Sequence, residues 1–171
     1  LSALAARDHA TALVGLRALD HTKLHGHQVG DRAFLLAWTL MRTGDEAAAI
    51  LLIPEIMAAD HVPPDWQDTL VGELLLADGR AVEAAEALGR VTEGDGSWPR
   101  AMLLLAQARS EAGATADAIK VWEKLVERPD PANGSAQALM ALATKSGAGS
   151  DKAYPYLRRL WSHYPGSGEG R

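Results

Sequence analysis

Cysteine is absent from this chain of 171 residues, which excludes disulfides, zinc thiolate sites and cysteine nucleophiles at once. The redox compartment stays open, because a cysteine-free protein suits a reducing and an oxidising environment equally. Phenylalanine occurs once, and valine and isoleucine together number 12. Strands draw on β-branched and aromatic residues, so there is little material for a sheet. No apolar run approaches the ~18 residues that a membrane-spanning helix needs. Basic charge is short as well: 17 Lys and Arg stand against 22 Asp and Glu, a net charge of −5. Nucleic-acid binders carry a basic footprint to neutralise phosphate, and none is visible. The deficit lies in the first half, where residues 1–85 hold 6 basic and 12 acidic groups against 11 and 10 in residues 86–171.

Catalytic motifs are missing too. There is no His-Glu-x-x-His, no Gly-x-Ser-x-Gly, no Walker loop and no Gly-x-Gly-x-x-Gly. Glu93-Gly-Asp-Gly-Ser-Trp98 is too short for a calcium loop and reads as a turn. The expectation is a non-catalytic chain with no cofactor. His21, His25 and His27 form the one cluster of metal-ligating type, since imidazoles four apart on a helix can chelate. Gly26 and Gly30 argue instead for a polar loop there.

What is abundant is alanine, 32 residues, and leucine, 24 residues. Both head the helix propensity scale, so the fold class is all-α. Four Gly-bearing turns recur at Gly44, Gly79, Gly113 and Gly147–Gly149. Each is followed by a small residue, Ala49, Ala84, Ala118 and Ala153, at spacings of 35, 34 and 35. Four and seven residues further on stand Ile53 and Ile56, Leu88 and Val91, Trp122 and Leu125, Leu157 and Leu160. That period predicts an amphipathic helix after each turn. A second set is predicted before the turns, over 31–43, 65–78, 99–112 and 134–146, with small residues Ala37, Gly72, Ala106 and Ala141 for close helix approach.

Local signals agree. Asp45 reads as an N-cap and Gly79 and Gly113 as C-caps. Pro63-Pro64, Pro129, Pro131 and Pro165 fall where second helices should end. Pro54 should kink its helix, whereas Pro155 falls harmlessly in a first turn. Trp122 and Trp161 sit beside the apolar stripe and are expected to pack between helices.

This helix–turn–helix period resembles the tetratricopeptide repeat, most closely at Ala101-Met-Leu-Leu-Leu-Ala-Gln-Ala-Arg-Ser-Glu-Ala-Gly-Ala-Thr-Ala-Asp-Ala-Ile-Lys-Val-Trp-Glu-Lys-Leu125. The first helices depart from it by mostly lacking the family's tryptophan and inward tyrosine. The resemblance implies an α-solenoid: a right-handed superhelix of about four hairpins, units 30–63, 64–98, 99–133 and 134–165, after a capping helix over 2–19. Together, 1–165 make one domain, and 166–171 read as a linker. First helices would line a concave groove for a protein or peptide. The positions so nominated are Phe34, Trp38, Met41, Arg42, Trp66, Thr69, Glu73, Arg100, Leu103, Gln107, Glu111, Leu142 and Lys145. Aromatic and Arg side chains are the usual interface anchors. Few of these positions carry the Lys and Asn with which the family clamps a peptide carboxylate, so an apolar segment is the better partner.

Lys152-Ala-Tyr-Pro-Tyr-Leu-Arg-Arg-Leu-Trp-Ser-His-Tyr-Pro-Gly166 resembles the Leu-Trp-x-x-Tyr-Pro ending of helical domains in soluble lytic transglycosylases. That likeness implies a bacterial periplasmic or cell-envelope parent, with an adjoining catalytic domain or peptidoglycan as partner and the catalytic glutamate elsewhere. The chain starts at Leu1 without initiator Met or leader, so the expectation is a piece of a longer protein.

Overall fold

The computed structural model describes residues 8–19, 23–127, 134–147 and 149–166. Among the described residues there are ten helices and no strand. Helix α1 (His9–Ala18) is capped by Asp8, whose Oδ1 accepts from Thr11 N at 3.0 Å. The hydrogen bonds from Thr11 hold the Asp8 carboxyl below its ordinary range. Four helical hairpins follow. The first pairs α2 (His27–Thr43) with α3 (Glu46–Ile50) and α4 (Ile53–Met57). The second pairs α5 (Pro64–Ala77) with α6 (Ala81–Leu88). The third pairs α7 (Trp98–Glu111) with α8 (Thr115–Val126), and the fourth α9 (Ser135–Lys145) with α10 (Tyr154–His163). From α5 onward each helix packs on the next, and first helices also touch, α2 on α5 and α5 on α7.

Three of the turns are the same motif. Arg80 N donates to Leu75 O at 2.8 Å while Gly79 N donates to Leu76 O at 3.0 Å. Asp45 and Gly44 repeat this pair on Leu40 and Met41, as do Ala114 and Gly113 on Arg109 and Ser110. This is a Schellman turn, and it needs a left-handed residue; glycine supplies it at Gly79 and Gly113, with φ of 75° and 84°. The same turn thus closes the first three hairpins. Asp45 then starts α3 as its N-cap, accepting from Ala48 N at 3.3 Å.

The core is built on small residues. Ala49, Ala84, Ala118 and Ala153 are each 0% exposed, so the repeating position after each turn is where helices come closest. Of their apolar partners, Ile56, Leu88, Val91, Trp122, Leu125 and Leu160 are buried and Ile53 is half-buried. Leu157 is an exception at 38% exposure, and Trp161, expected in the packing, is 72% exposed. In the second and third hairpins, the matching residues Leu88 and Trp122 are buried, and α6 and α8 are each followed by another packed first helix. Among the described residues, Leu157 and Trp161 on α10 have no such covering helix.

Pro54 breaks its helix rather than merely kinking it. Helix α3 ends at Ile50, and Pro54 sits in the first turn of α4, where its missing N–H costs nothing. Pro155 likewise opens α10. Gly30, read as a loop signal, lies inside α2 and is buried. It lets the helix touch the end of the first hairpin: a Cβ at Gly30 would stand 2.5 Å from Ala59 Cβ and 2.6 Å from Ala59 Cα. Gly72 does the same between α5 and α6, where a Cβ would lie 2.4 Å from Leu88 Cγ.

Glycine-to-alanine changes therefore split by site. At exposed Gly15 in α1, with nothing within 4 Å of a new Cβ, alanine should stabilise by about 0.5–1 kcal/mol. Gly72→Ala should destabilise by about 1–3 kcal/mol through overpacking, and Leu88→Ala should cost less in that variant than in the parent chain, because the two changes share one contact. Gly30→Ala, which meets backbone that cannot rotate away, should cost more than Gly72→Ala. Urea midpoints of these variants check the order.

Candidate functional site

Counting back from the turn glycines shows how the hairpins make a cleft. Residues two before Gly79, Gly113 and Gly147 are Ala77, Glu111 and Lys145; three before are Leu76, Ser110 and Thr144; six before are Glu73, Gln107 and Ala141. All nine line one cleft of about 750 Å³ across α5, α7 and α9. At 100° per residue these three offsets fall on one helix face, so the cleft is a direct product of the repeat.

Its apolar lining is Leu76, Leu103, Leu104, Met140 and Trp122. The rim is charged and internally braced. Arg100 Nη2 donates to Glu73 Oε1 at 2.5 Å and ties α7 to α5. Gln107 Nε2 donates to Glu111 Oε1 at 2.9 Å along α7. Glu46 and Lys145 complete the lining. An apolar lining with a mixed-charge rim can desolvate nonpolar side chains of a ligand while orienting its polar groups.

Of the nominated groove residues, Glu73, Arg100, Leu103, Gln107, Glu111 and Lys145 are brought together in this cleft. Phe34 and Trp66 line a separate pocket of about 400 Å³ between α2 and α5. Trp38 is half-buried beneath α1, edge-on to His9 at 5.2 Å between centroids, and Arg42 sits 5.4 Å over the same ring. Met41 is half-buried against the core.

Trp38, Met41 and Arg42 therefore line neither space, and neither do Leu142 and Thr69, which are buried. Leu142 is 1% exposed. It stands five before Gly147, as Leu74 and Ala108 stand five before their own turn glycines, and both of those are buried. The groove position is its neighbour Ala141, which was expected to be a close-packing contact. A one-residue slip in the fourth repeat moved the assignment by 100° of helix. Thr69 is also buried, because Ser97 at the head of α7 sits on it. Its hydroxyl donates to Asp65 O at 2.7 Å and lies 3.0 Å from Ser97 Oγ, while Asp65 Oδ2 accepts from Ser97 N at 3.1 Å. This small network locks the start of α5 to the start of α7.

Leu76 and Thr144 were missed, although the glycine count would have found them; Met140, seven before Gly147, falls outside that count. Trp98 was read as part of a turn; it opens α7, is buried, and carries Lys124 at 5.5 Å over its ring. The following Pro99, a residue that favours a helix's first turn, was the available signal. Of the histidine cluster, His21 lies outside the described residues. His25 and His27 are exposed, and His27 packs edge-on against His61 at 4.2 Å. Among the described residues no three His, Asp or Glu side chains converge as a metal site.

The tetratricopeptide repeat family model matches residues 100–131. The fold is tetratricopeptide-like. The match falls on the hairpin α7–α8, where the turn, the buried Ala118 and the cleft-lining Leu103 and Gln107 all coincide. No curated protein matches the chain. No helix among the described residues is long and apolar enough to cross a membrane.

Core and cleft residues should separate by experiment. Leu142→Ala should cost about 2–5 kcal/mol of stability and Thr69→Val about 1 kcal/mol. Gln107→Ala and Lys145→Ala should stay within about 0.5 kcal/mol of the parent chain. Chemical denaturation of the four variants measures this directly.

Proposed function

We propose that this chain is a non-catalytic scaffold that holds an amphipathic protein or peptide segment in the cleft across α5, α7 and α9. The carrying observation is the cleft itself: three successive first helices give the same repeat positions to one apolar-lined, charge-rimmed surface. Repeats of the matched family serve in protein interaction, which agrees with that chemistry. On this reading the four hairpins wind as a right-handed superhelix with the first helices inside. The ligand is a segment whose apolar side chains cover Leu76, Leu103 and Met140.

Selection from a displayed random-peptide library tests the reading without knowing the partner. Enriched peptides should share spaced apolar residues. Leu103→Asp and Met140→Asp should each weaken them by about 2 kcal/mol or more, the level of an interface hot spot, with helicity by circular dichroism unchanged. Failure to enrich any sequence, or binding indifferent to both variants, would sink it.

A second reading is motivated by the ending of the chain. Leu160 and Tyr164 are buried and close the last hairpin, in keeping with the transglycosylase-like texture of residues 152–166. It makes the chain the helical scaffold of an envelope enzyme acting on peptidoglycan, with catalysis in another domain. The full-length protein should then release anhydro-muropeptides from purified sacculi, and this chain alone should not. A full-length protein inert on sacculi removes that reading.

A further inference from the structure

The pocket between α2 and α5 shares no residue with the cleft, and its chemistry is different. Phe34 and Trp66 supply aromatic walls, Val62 and Pro63 close one side, and Asp31 is the one carboxylate in the lining. Asp31 and Phe34 lie one turn apart on α2, so both present to the same side. Asp31 is half-buried and makes no hydrogen bond or ion pair to another described residue. Trp66 is 49% exposed, and its indole Nε1 lies 3.7 Å from where a Cβ on Gly96 would stand, so the loop before α7 backs one edge of the ring. A partly desolvated carboxylate beside open aromatic faces attracts a cation: the ring quadrupole and the negative charge favour the same ligand.

We infer that this pocket receives a cationic side chain, the arginine of a partner peptide. A guanidinium suits it better than an ammonium, because its plane stacks on an indole while its paired N–H groups meet a carboxylate. The volume of about 400 Å³ is at the small end of ligand sites and fits one long side chain. The wider charge distribution agrees: the pocket lies in the half of the chain with 6 basic and 12 acidic groups, a field that draws cationic partners. Because the pocket is separate, the inference stands or falls apart from the peptide-cleft reading.

The test is a nuclear magnetic resonance titration of the whole chain at pH 8 with acetyl-Ala-Arg-Ala-amide and its citrulline counterpart. Citrulline keeps the shape and removes the charge. The Val62 and Gly96 amides should shift saturably with the arginine peptide, and the citrulline peptide should bind at least about fivefold more weakly. Asp31→Asn should weaken the arginine peptide by about three- to fivefold, the range of a partly exposed ion pair. Trp66→Leu, at an exposed position, should erase most of the preference for arginine over citrulline and decides the matter if Asp31→Asn loses helicity. Equal binding of the two peptides to the parent chain overturns the inference. So does a folded Asp31→Asn variant that binds as tightly as the parent.

Discussion

Close helix approach through small side chains is the constraint on which the rest of this structure depends. Ala49, Ala84, Ala118 and Ala153 have no exposed surface, and Gly30 and Gly72 sit where any side chain would collide with Ala59 and Leu88. Alanine and glycine bring little apolar area of their own. Their contribution is to let the larger residues of the facing helix reach full burial, as Leu88 does in the notch at Gly72. Dispersion and hydrophobic terms both grow with such contact, so the notch does more than its own size suggests.

The cleft is a by-product of that packing. Each first helix uses one stripe for its hairpin partner and another for its neighbours in the stack, which leaves a third stripe open. The same offsets from the turn glycines face outward on α5, α7 and α9, so their open stripes coincide instead of scattering round the stack. Bridges between repeats then hold the alignment. Arg100 reaches back to Glu73 and Asp65 holds the Ser97 backbone; within the second hairpin Arg90 pairs with Asp68, which raises the guanidinium's pKa through that hydrogen bond. Such partly exposed pairs add little stability individually; the consequence of the first two is register between repeats.

Much of this was legible in one dimension. The turn glycines, the buried alanines and the N-cap at Asp45 all follow from local backbone rules, which act over four or five residues and do not need the rest of the chain. Where reading failed, the missing information was nonlocal. Leu142 and Ala141 differ by one position, and only the neighbouring helices show which of them faces inward. Thr69 looked like a groove residue until Ser97, 28 positions away, was found lying on it. Trp161 has the spacing of a core residue on α10, but burial needs a partner helix, and spacing says nothing about whether one is there.

By itself the sequence determined the class of the protein: all-α, about four hairpins, with small residues at the crossings and no material for a sheet or a thiol site. Those properties depend on composition and on periods shorter than one repeat. The tertiary structure alone decided that six of the nominated residues share one cleft, that Phe34 and Trp66 belong to a different pocket with Asp31, and that Trp38 lies beneath α1. Helix periodicity specifies a face, but which faces meet is set by how successive hairpins stack, and that comes from contacts between residues in different hairpins, such as Thr69 with Ser97 and Glu73 with Arg100.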